Sequence, residues 1–366
     1  MFMKQITLWL LLLALAGCGG DLSPTRVPPT APPAAARPSA TPPRPTAAPT
    51  PTSGFPTATA AQANPTLAPA PPPLLLADRD PGLPRAGFGP ASPGAHWLVT
   101  RDANDFALVA LNGRASLVST GAATATAGLP LDWTADGSLL LFRAAGDPAS
   151  LWALEPTTGI TLSIVAELTA PLRDAAWLTS VIIYATDGAD GASLTLHAYR
   201  GEAGGRIMAR LPGLRLLDGG IATNPNRREA ALLVSGAISP TTELYRLDDA
   251  GNLARIDGRD SLDPGARAVW SPRGGLAYNL GGGLHIFDPA TGGLQDTGLA
   301  ADPLAWQGAA VLARRREDGA LLRWSQAGIQ PFDTGSGPLV VDDAQAIGPT
   351  EVALLIGGQI WQVGLP

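Results

Sequence analysis

The segment that decides the fold is WSPRGGLAYNLGGGLHIFDPATG, residues 270–292. It contains two short apolar runs that are separated by the glycine-rich turn 281–283. Gly, Pro and Asp residues bound both runs, and this arrangement predicts a β-hairpin rather than a helix. A second copy, WTADGSLLLF at 133–142 followed by LWALEPTTG at 151–159, has the same order of turns and strands. One hairpin unit is therefore repeated along the chain.

The repeat has a regular period. Aligning the second strand of each hairpin identifies seven copies, at Val109, Trp152, His197, Tyr245, His285, Leu322 and Trp361. Successive copies lie 37 to 48 residues apart, with a mean of 42. A series of mostly large residues precedes the hairpins, at Trp133, Trp177, Thr223, Trp270, Trp306 and Ile347. A period of about 40–45 residues with several strands per unit is typical of β-propeller blades. We predict an all-β, seven-bladed β-propeller over residues 74–366, with six blades as the alternative.

The last repeat is incomplete, because only five residues follow Trp361. An apolar run, Leu74 to Asp78, has no assigned place at the other end of the domain. A ring left open would expose two sheet edges and an apolar face. We therefore expect residues 74–78 to supply the missing outer strand and to close the ring.

The N-terminus predicts a signal peptide over residues 1–17. Lys4 precedes an apolar run, residues 6–16, that is shorter than the roughly 20 residues a membrane-spanning helix needs. The run ends in Leu15-Ala16-Gly17-Cys18, which resembles the lipobox of bacterial lipoproteins. This resemblance implies that Cys18 is diacylated and becomes the mature N-terminus, held on the bilayer by its acyl chains. We expect a lipid-anchored protein on the extracytoplasmic face of the bacterial cell membrane.

A linker over residues 18–73 follows the anchor. Its last 53 residues, 21–73, contain 17 Pro, 13 Ala and 9 Thr. Such a segment buries too little apolar surface to offset the entropy of ordering it, so we expect it to be disordered. Frequent proline favours extended polyproline II conformations, which would space the next domain from the membrane.

The strand-and-turn phrases resemble a known group of propellers. Ser92-Pro93-Gly94 and Ser271-Pro272-Arg273-Gly274, each followed by an apolar strand, are similar to TolB-like and WD-repeat-like propellers of bacterial envelopes. The phrases ending in Gly159 and Gly292 also resemble quinoprotein-like propellers, but the Trp expected after each is absent. We therefore expect no cofactor.

No catalytic motif is present. The sequence has no G-x-S-x-G elbow and no H-E-x-x-H pair, and its only Lys is Lys4, so no phosphate-binding G-x-x-x-x-G-K loop exists. Three His occur, of which His197 and His285 share a repeat position with Trp152 and Tyr245, so we assign them to packing. The acidic residues at 102–105 and 187–190 fit either calcium ligation or ordinary turns, and we favour turns, with no metal site.

Composition and charge complete the prediction. The net charge of −6 argues against a nucleic-acid partner. Arg314, Arg315 and Arg316 form a charge run at a hairpin tip, where an acidic partner could dock, and the pair at 227–228 is a weaker site of the same kind. We predict a monomeric, non-catalytic binding or scaffolding module with a protein or cell-envelope partner. The alternative is an extracytoplasmic hydrolase or lyase acting on carbohydrate or peptide at the propeller channel.

Overall fold

The computed structural model describes residues 74–75, 86–112, 116–118, 126–166, 168–179, 181–201, 205–332, 337–348 and 350–364. These residues lie within one compact unit, Pro65–Pro366. The predicted signal peptide, the lipobox with Cys18 and the linker 18–73 all lie outside the described residues. No helix in the described part of the chain is long and apolar enough to cross a membrane.

The described residues form seven blades of four strands each, of which the first two are hydrogen-bonded into one eight-stranded sheet. Blade 1 contains β2 (Gly87–Phe88), β3 (Trp97–Arg101), β4 (Asp105–Asn112) and β5 (Ser116–Val118). Blade 2 contains β6 (Thr126–Trp133), β7 (Leu140–Ala144), β8 (Asp147–Glu155) and β9 (Ile160–Val165). Blade 3 contains β10 (Leu172–Trp177), β11 (Ile182–Asp187), β12 (Ser193–Tyr199) and β13 (Arg206–Pro212). Blade 4 contains β14 (Leu214–Thr223), β15 (Glu229–Gly236), β16 (Thr242–Asp248) and β17 (Leu253–Arg259).

The remaining blades follow the same order. Blade 5 contains β18 (Ala268–Trp270), β19 (Leu276–Leu280), β20 (Gly283–Asp288) and β21 (Gly293–Asp296). Blade 6 contains β22 (Ala301–Gln307), β23 (Ala310–Arg315), β24 (Leu321–Ser325) and β25 (Gly328–Pro331). Blade 7 contains β26 (Asp343–Ala346), β27 (Glu351–Ile356), β28 (Gln359–Gly364) and, from the start of the domain, β1 (Leu74–Leu75). A short 3-10 helix, Pro93–Ala95, precedes β3.

The blades are arranged in a closed ring, which confirms the predicted seven-bladed propeller. The inner strands of consecutive blades contact one another from β6 to β26, then β26 contacts β2, and β3 contacts β6. Seven apolar clusters occupy the interfaces, and each one draws on two consecutive blades. The second strand of a blade is buried almost throughout, as in β19, whereas an outer strand such as β21 is exposed.

The ring closes as predicted, through pairing of the two ends of the domain. Leu74 and Leu75 pair with Gln362 and Trp361 of β28 and so form the outer strand of blade 7. The inner strands also meet here, because the Phe88 N–H donates to Asp343 Oδ2 at 2.9 Å. Two inner-strand carboxylates elsewhere act in the same way: the Trp177 N–H donates to Asp132 Oδ2 at 2.7 Å and the Ile221 N–H to Asp174 Oδ2 at 3.0 Å. A repeated hydrogen bond thus joins a blade to the next.

The tryptophans that precede the hairpins lie between the blades. Each of these residues stands at or next to the end of an inner strand. Three of the indoles donate to a backbone carbonyl of the preceding blade: Trp133 to Pro90 at 3.0 Å, Trp270 to Ala222 at 2.8 Å and Trp306 to Val269 at 2.9 Å. The large ring fills the interface while its only polar group is satisfied.

Candidate functional site

The topology gives the ring two different faces. Since the four strands of a blade alternate in direction, the turn between the second and third strands lies at the same end as the connection to the next blade. We call this end the crossover face. The turns between the first and second strands lie at the other end, the opposite face.

A groove of about 830 Å³ lies on the crossover face over blades 5 to 7. Its walls come from the connection 261–265, the turn 281–282, the end of β23 at 314–316 and the connection 340–342, with Asp302 also in the lining. The predicted partner-binding arginines, Arg314, Arg315 and Arg316, all line this groove. Their role in binding stays a prediction, but the structure shows which charged groups surround them.

Two of these arginines rest on buried carboxylates. Arg316 donates from Nε to Asp302 Oδ1 at 2.6 Å and from Nη2 to Asp263 Oδ1 at 3.2 Å. Arg314 donates from Nη2 to Asp302 Oδ2 at 3.1 Å, and Asn279 Nδ2 donates to Asp302 Oδ1 at 2.9 Å. The aspartate side chains are 7% and 10% exposed, whereas the arginine side chains are 30% and 33% exposed. The guanidinium groups therefore form the accessible surface, with the carboxylates beneath them.

Strand alternation explains why the three arginines differ. Asp302 of β22 pairs directly with Arg314 of β23, which places the two side chains on one side of the sheet. Arg316 lies two residues further along the chain and contacts the same carboxylate, while Arg315 between them pairs with Asp318 instead. Arg315 donates from Nε to Asp318 Oδ1 at 2.8 Å within the turn. Arg315 is thus paired within the exposed turn, while Arg314 and Arg316 rest on buried carboxylates.

The ion pairs keep the charged forms of these groups. Burial lowers the pKa of Arg316, but its hydrogen bond to Asp302 and the charges of Asp302 and Asp263 outweigh burial and raise that pKa. In the exposed pair, the hydrogen bond from Arg315 lowers the pKa of Asp318 to about 2. The groove is therefore lined by guanidinium groups that stay positively charged at physiological pH.

On the opposite face, Arg227 is buried. Arg227 Nη1 donates to Asp132 Oδ2 at 2.6 Å, and each of the two side chains is 8% exposed. Arg227 Nη1 also contacts the Trp177 carbonyl at 3.3 Å, and Thr223 Oγ1 donates to the same Asp132 oxygen at 2.9 Å. This network joins blades 2, 3 and 4. Arg227 is therefore structural and closed to a partner, unlike the exposed Arg228 beside it.

Two of the histidines pack as their repeat position predicts. His197 of β12 stacks on Tyr184 of β11 with ring centroids 4.6 Å apart, and Thr186 Oγ1 lies 3.0 Å from His197 Nε2. His285 of β20 is 3% exposed and lies against Tyr278, with centroids 5.4 Å apart. Burial lowers the pKa of His197, which favours its neutral form.

The acidic residues expected in turns lie there only in part: Asp190 is in the turn after β11, whereas Asp105 begins β4 and Asp187 ends β11. Asp190 Oδ1 accepts from the Ala192 N–H at 2.9 Å and from Ser193 Oγ at 2.7 Å. Asp187 pairs with the Arg173 guanidinium. Across the residues that the structure describes, no group of three or more His, Cys, Asp or Glu side chains is placed to hold a metal ion.

A buried carboxyl group that sequence reasoning missed lies on the inner strand of blade 3. Asp174 is 3% exposed, and its two oxygens accept the N–H groups of Ala175 and Ile221 at 2.8 and 3.0 Å. Burial raises its pKa to about 7, against the effect of these hydrogen bonds. The sequence does not predict this group, because aspartate is a residue type that is mostly exposed. Only the structure shows that Asp174 is buried.

Solved structures that resemble the chain include β-propellers. The β-propeller domain of Myceliophteria thermophila Cps50 (Swd1) has a TM-score of 0.53 at 12% identity, covering 81% of this chain and 100% of that one. A chain of the mitotic checkpoint complex has a TM-score of 0.53 at 12% identity, covering 84% and 99%. TolB from Acinetobacter baumannii has a TM-score of 0.37 at 14% identity, covering 62% and 63%. No protein family and no curated protein sequence matches the chain. Similarity at these identities establishes the propeller fold alone.

Proposed function

We propose that the chain is a bacterial lipoprotein, anchored through Cys18 outside the cytoplasm, whose propeller is a non-catalytic binding or scaffolding module for a protein partner. The partner docks at the crossover-face groove over blades 5 to 7. The attachment of the chain to the membrane depends on the lipid. Residues 74–366 carry 21 basic and 30 acidic side chains, and anionic lipids would repel this excess of negative charge.

One observation carries the binding role: Arg314 and Arg316 are held in place from below by buried carboxylates and are still accessible from the groove. Guanidinium groups that are fixed before binding lose little conformational entropy when a partner arrives. Arginine is also among the residues enriched in protein interfaces.

The same groups give less support to a hydrolase or lyase. General acid–base catalysis needs a carboxyl or imidazole that exchanges a proton with the substrate. Asp302 accepts hydrogen bonds from Arg314, Arg316 and Asn279, and both its oxygens are engaged. Asp174, whose pKa lies near neutrality, is buried in the interface of blades 3 and 4 and does not line the groove.

Site-specific photo-crosslinking in cells tests the docking face. We would place a photo-reactive amino acid at Arg315 on the groove or at Arg228 on the opposite face, in the full-length chain. The proposal predicts a discrete protein adduct from position 315 and none from position 228. Adducts of equal yield at both positions, or none at position 315, would contradict it.

A second experiment tests the anchor. Cys18→Ser removes the acylation site, and we expect the variant to move from the membrane fraction to the soluble extracytoplasmic fraction. Detection by mass spectrometry of acylated Cys18 in the unchanged protein is the matching positive result. A Cys18→Ser chain that stays with the membrane contradicts lipidation as the only attachment.

A further inference from the structure

The groove is lined by guanidinium groups and by aliphatic side chains, and together these groups indicate what it binds. We infer that it binds a peptide segment of a protein partner in which a carboxylate lies next to an aliphatic side chain. In this arrangement Arg314 and Arg316 bind the carboxylate, and Leu262 and Val340 contact the aliphatic group. The inference rests on the proposed function and adds the chemistry of the partner.

The two guanidinium groups have hydrogen-bond donors to spare. Each carries five N–H groups. Arg314 uses Nη2 for Asp302 and Nη1 for the Asp342 carbonyl at 2.6 Å, while Arg316 uses Nε and Nη2 for Asp302 and Asp263. Their other N–H groups meet no acceptor among the residues that the structure describes. A planar fork of such donors matches both oxygens of a carboxylate.

Charge balance favours a single carboxylate over a polyanion. Asp263 and Asp302 lie directly beneath Arg314 and Arg316, so two negative charges offset two positive ones. The cluster has little excess charge to attract a phosphodiester chain or an anionic lipid surface. It offers oriented N–H donors instead, which suit a monoanion that approaches closely.

Two exposed aliphatic side chains complete the groove. Leu262 is 54% exposed and Val340 is 52% exposed, and both belong to the lining. Buried Thr242 holds the connection around Leu262, since its hydroxyl donates to the Ser261 carbonyl and accepts the Asp263 N–H, both at 2.9 Å.

Val340 is held in a comparable way. It forms an isolated bridge with Ala320, and the Val341 N–H donates to the Gly319 carbonyl at 3.0 Å. When a partner covers an aliphatic side chain that is fixed in position and exposed to water, the burial stabilises the complex. Leu262 and Val340 therefore provide the apolar contact beside the guanidinium groups.

Selection from a random peptide library tests this chemistry. The full-length chain, purified in detergent, is the target, and Arg314→Lys/Arg316→Lys is the first comparison, since lysine keeps the charge and loses the planar fork. Val340→Thr is the second, because it is nearly isosteric and its exposed position makes misfolding no concern. Arg228→Lys on the opposite face is the matched control.

We expect selected peptides to carry Asp, Glu or a free C-terminus next to Leu, Ile or Val. Their affinity should fall about tenfold or more in the double lysine variant and severalfold in Val340→Thr, and stay unchanged in Arg228→Lys. Failure to enrich such peptides overturns the inference, as does binding that survives both groove variants. Groove-dependent binding to phosphatidylglycerol vesicles also overturns it. A specific crosslink from position 315 in any of these cases would leave the proposed docking face in place.

Discussion

Both faces of the ring carry arginine–aspartate ion pairs, but the pairs have different roles on the two faces. On the opposite face Arg227 and Asp132 are each 8% exposed, and the guanidinium reaches across blades 2 to 4. On the crossover face Arg314 and Arg316 are about a third exposed above their carboxylates. Complete burial makes the first pair part of the framework. Because Arg314 and Arg316 are partly exposed, they keep N–H groups that can donate to a partner.

The comparison shows that charge alone does not identify a binding arginine. In the sequence, Arg227 and Arg316 each belong to a run of arginines followed by an acidic residue. What separates them is the direction of the side chain and the number of N–H groups left in contact with solvent. Both properties arise from tertiary contacts that a charge run does not show.

The largest effect is expected at the buried pair. Arg227→Met removes the cation and leaves the buried Asp132 carboxylate without it, which should lower the free energy of unfolding by about 3–5 kcal/mol. Urea unfolding followed by tryptophan fluorescence measures this change. Asp132→Asn in the same background should recover part of the loss, because no uncompensated charge then remains. A loss below about 1 kcal/mol would remove the distinction between the two faces.

The next largest effect is expected at Asp174, a buried carboxyl group that forms no ion pair with the described residues. The pKa of Asp174 is raised to about 7 in the folded protein, above its ordinary value of 3.8, so the folded state binds more protons between these values. Stability from this group is therefore complete below pH 4 and is lost as pH rises through 7. We expect its contribution to fall by roughly 2–3 kcal/mol from pH 5 to pH 8.

The measurement is the free energy of unfolding as a function of pH, compared with that of Asp174→Asn. The asparagine variant cannot titrate, so the difference between the two curves isolates this carboxyl group. Asp132 on the neighbouring blade and the Arg143 guanidinium are the charged groups that act on it. Parallel curves would show that the backbone N–H groups of Ala175 and Ile221 keep Asp174 ionised throughout.

Much of the framework could be predicted from the sequence, because blade packing imposes a period. The aligned series at Val109, Trp152 and the later copies all lie on the third strand of a blade. The tryptophans could be placed between blades because only a large ring fills that interface repeatedly. Closure by residues 74–75 followed from the missing outer strand and the cost of an exposed edge.

The site could be predicted only in part. Arg314–316 was found as a charge run, and hairpin pairing of Asp302 with Arg314 follows from the same strand assignment. Asp263 contacts Arg316 from 53 positions away in the chain, so no local pattern reports it. Arg227 points inward from a turn with φ of +58°, a conformation that non-glycine residues adopt infrequently. The residues next to Arg227 in the sequence do not predict this conformation.

A smaller loss of stability is expected at the groove. Arg316→Lys keeps the charge near Asp302 and Asp263 but cannot reach both with a fixed fork, and water screens the exposed third of the side chain. We expect the free energy of unfolding to fall by about 1 kcal/mol or less. The same substitution at Arg227 should cost clearly more in the same urea titration. Equal losses would mean that groove and framework arginines are energetically alike, and would weaken the binding role of Arg316.

The smallest effect is expected at the tip of the same turn. The side chains of Arg315 and Asp318 are 39% and 41% exposed, and their hydrogen bonds lower the pKa of Asp318 to about 2. Arg315→Gln removes the cation, so that pKa should rise toward its ordinary value of 3.8, while the melting temperature stays unchanged. Titration of the Asp318 carboxyl carbon by NMR between pH 1.5 and pH 6 (~2 units either side of that value) measures the change. A melting temperature several degrees lower would place Arg315 in the framework with Arg227. It would thereby contradict the rule that exposure separates the two kinds of arginine in this ring.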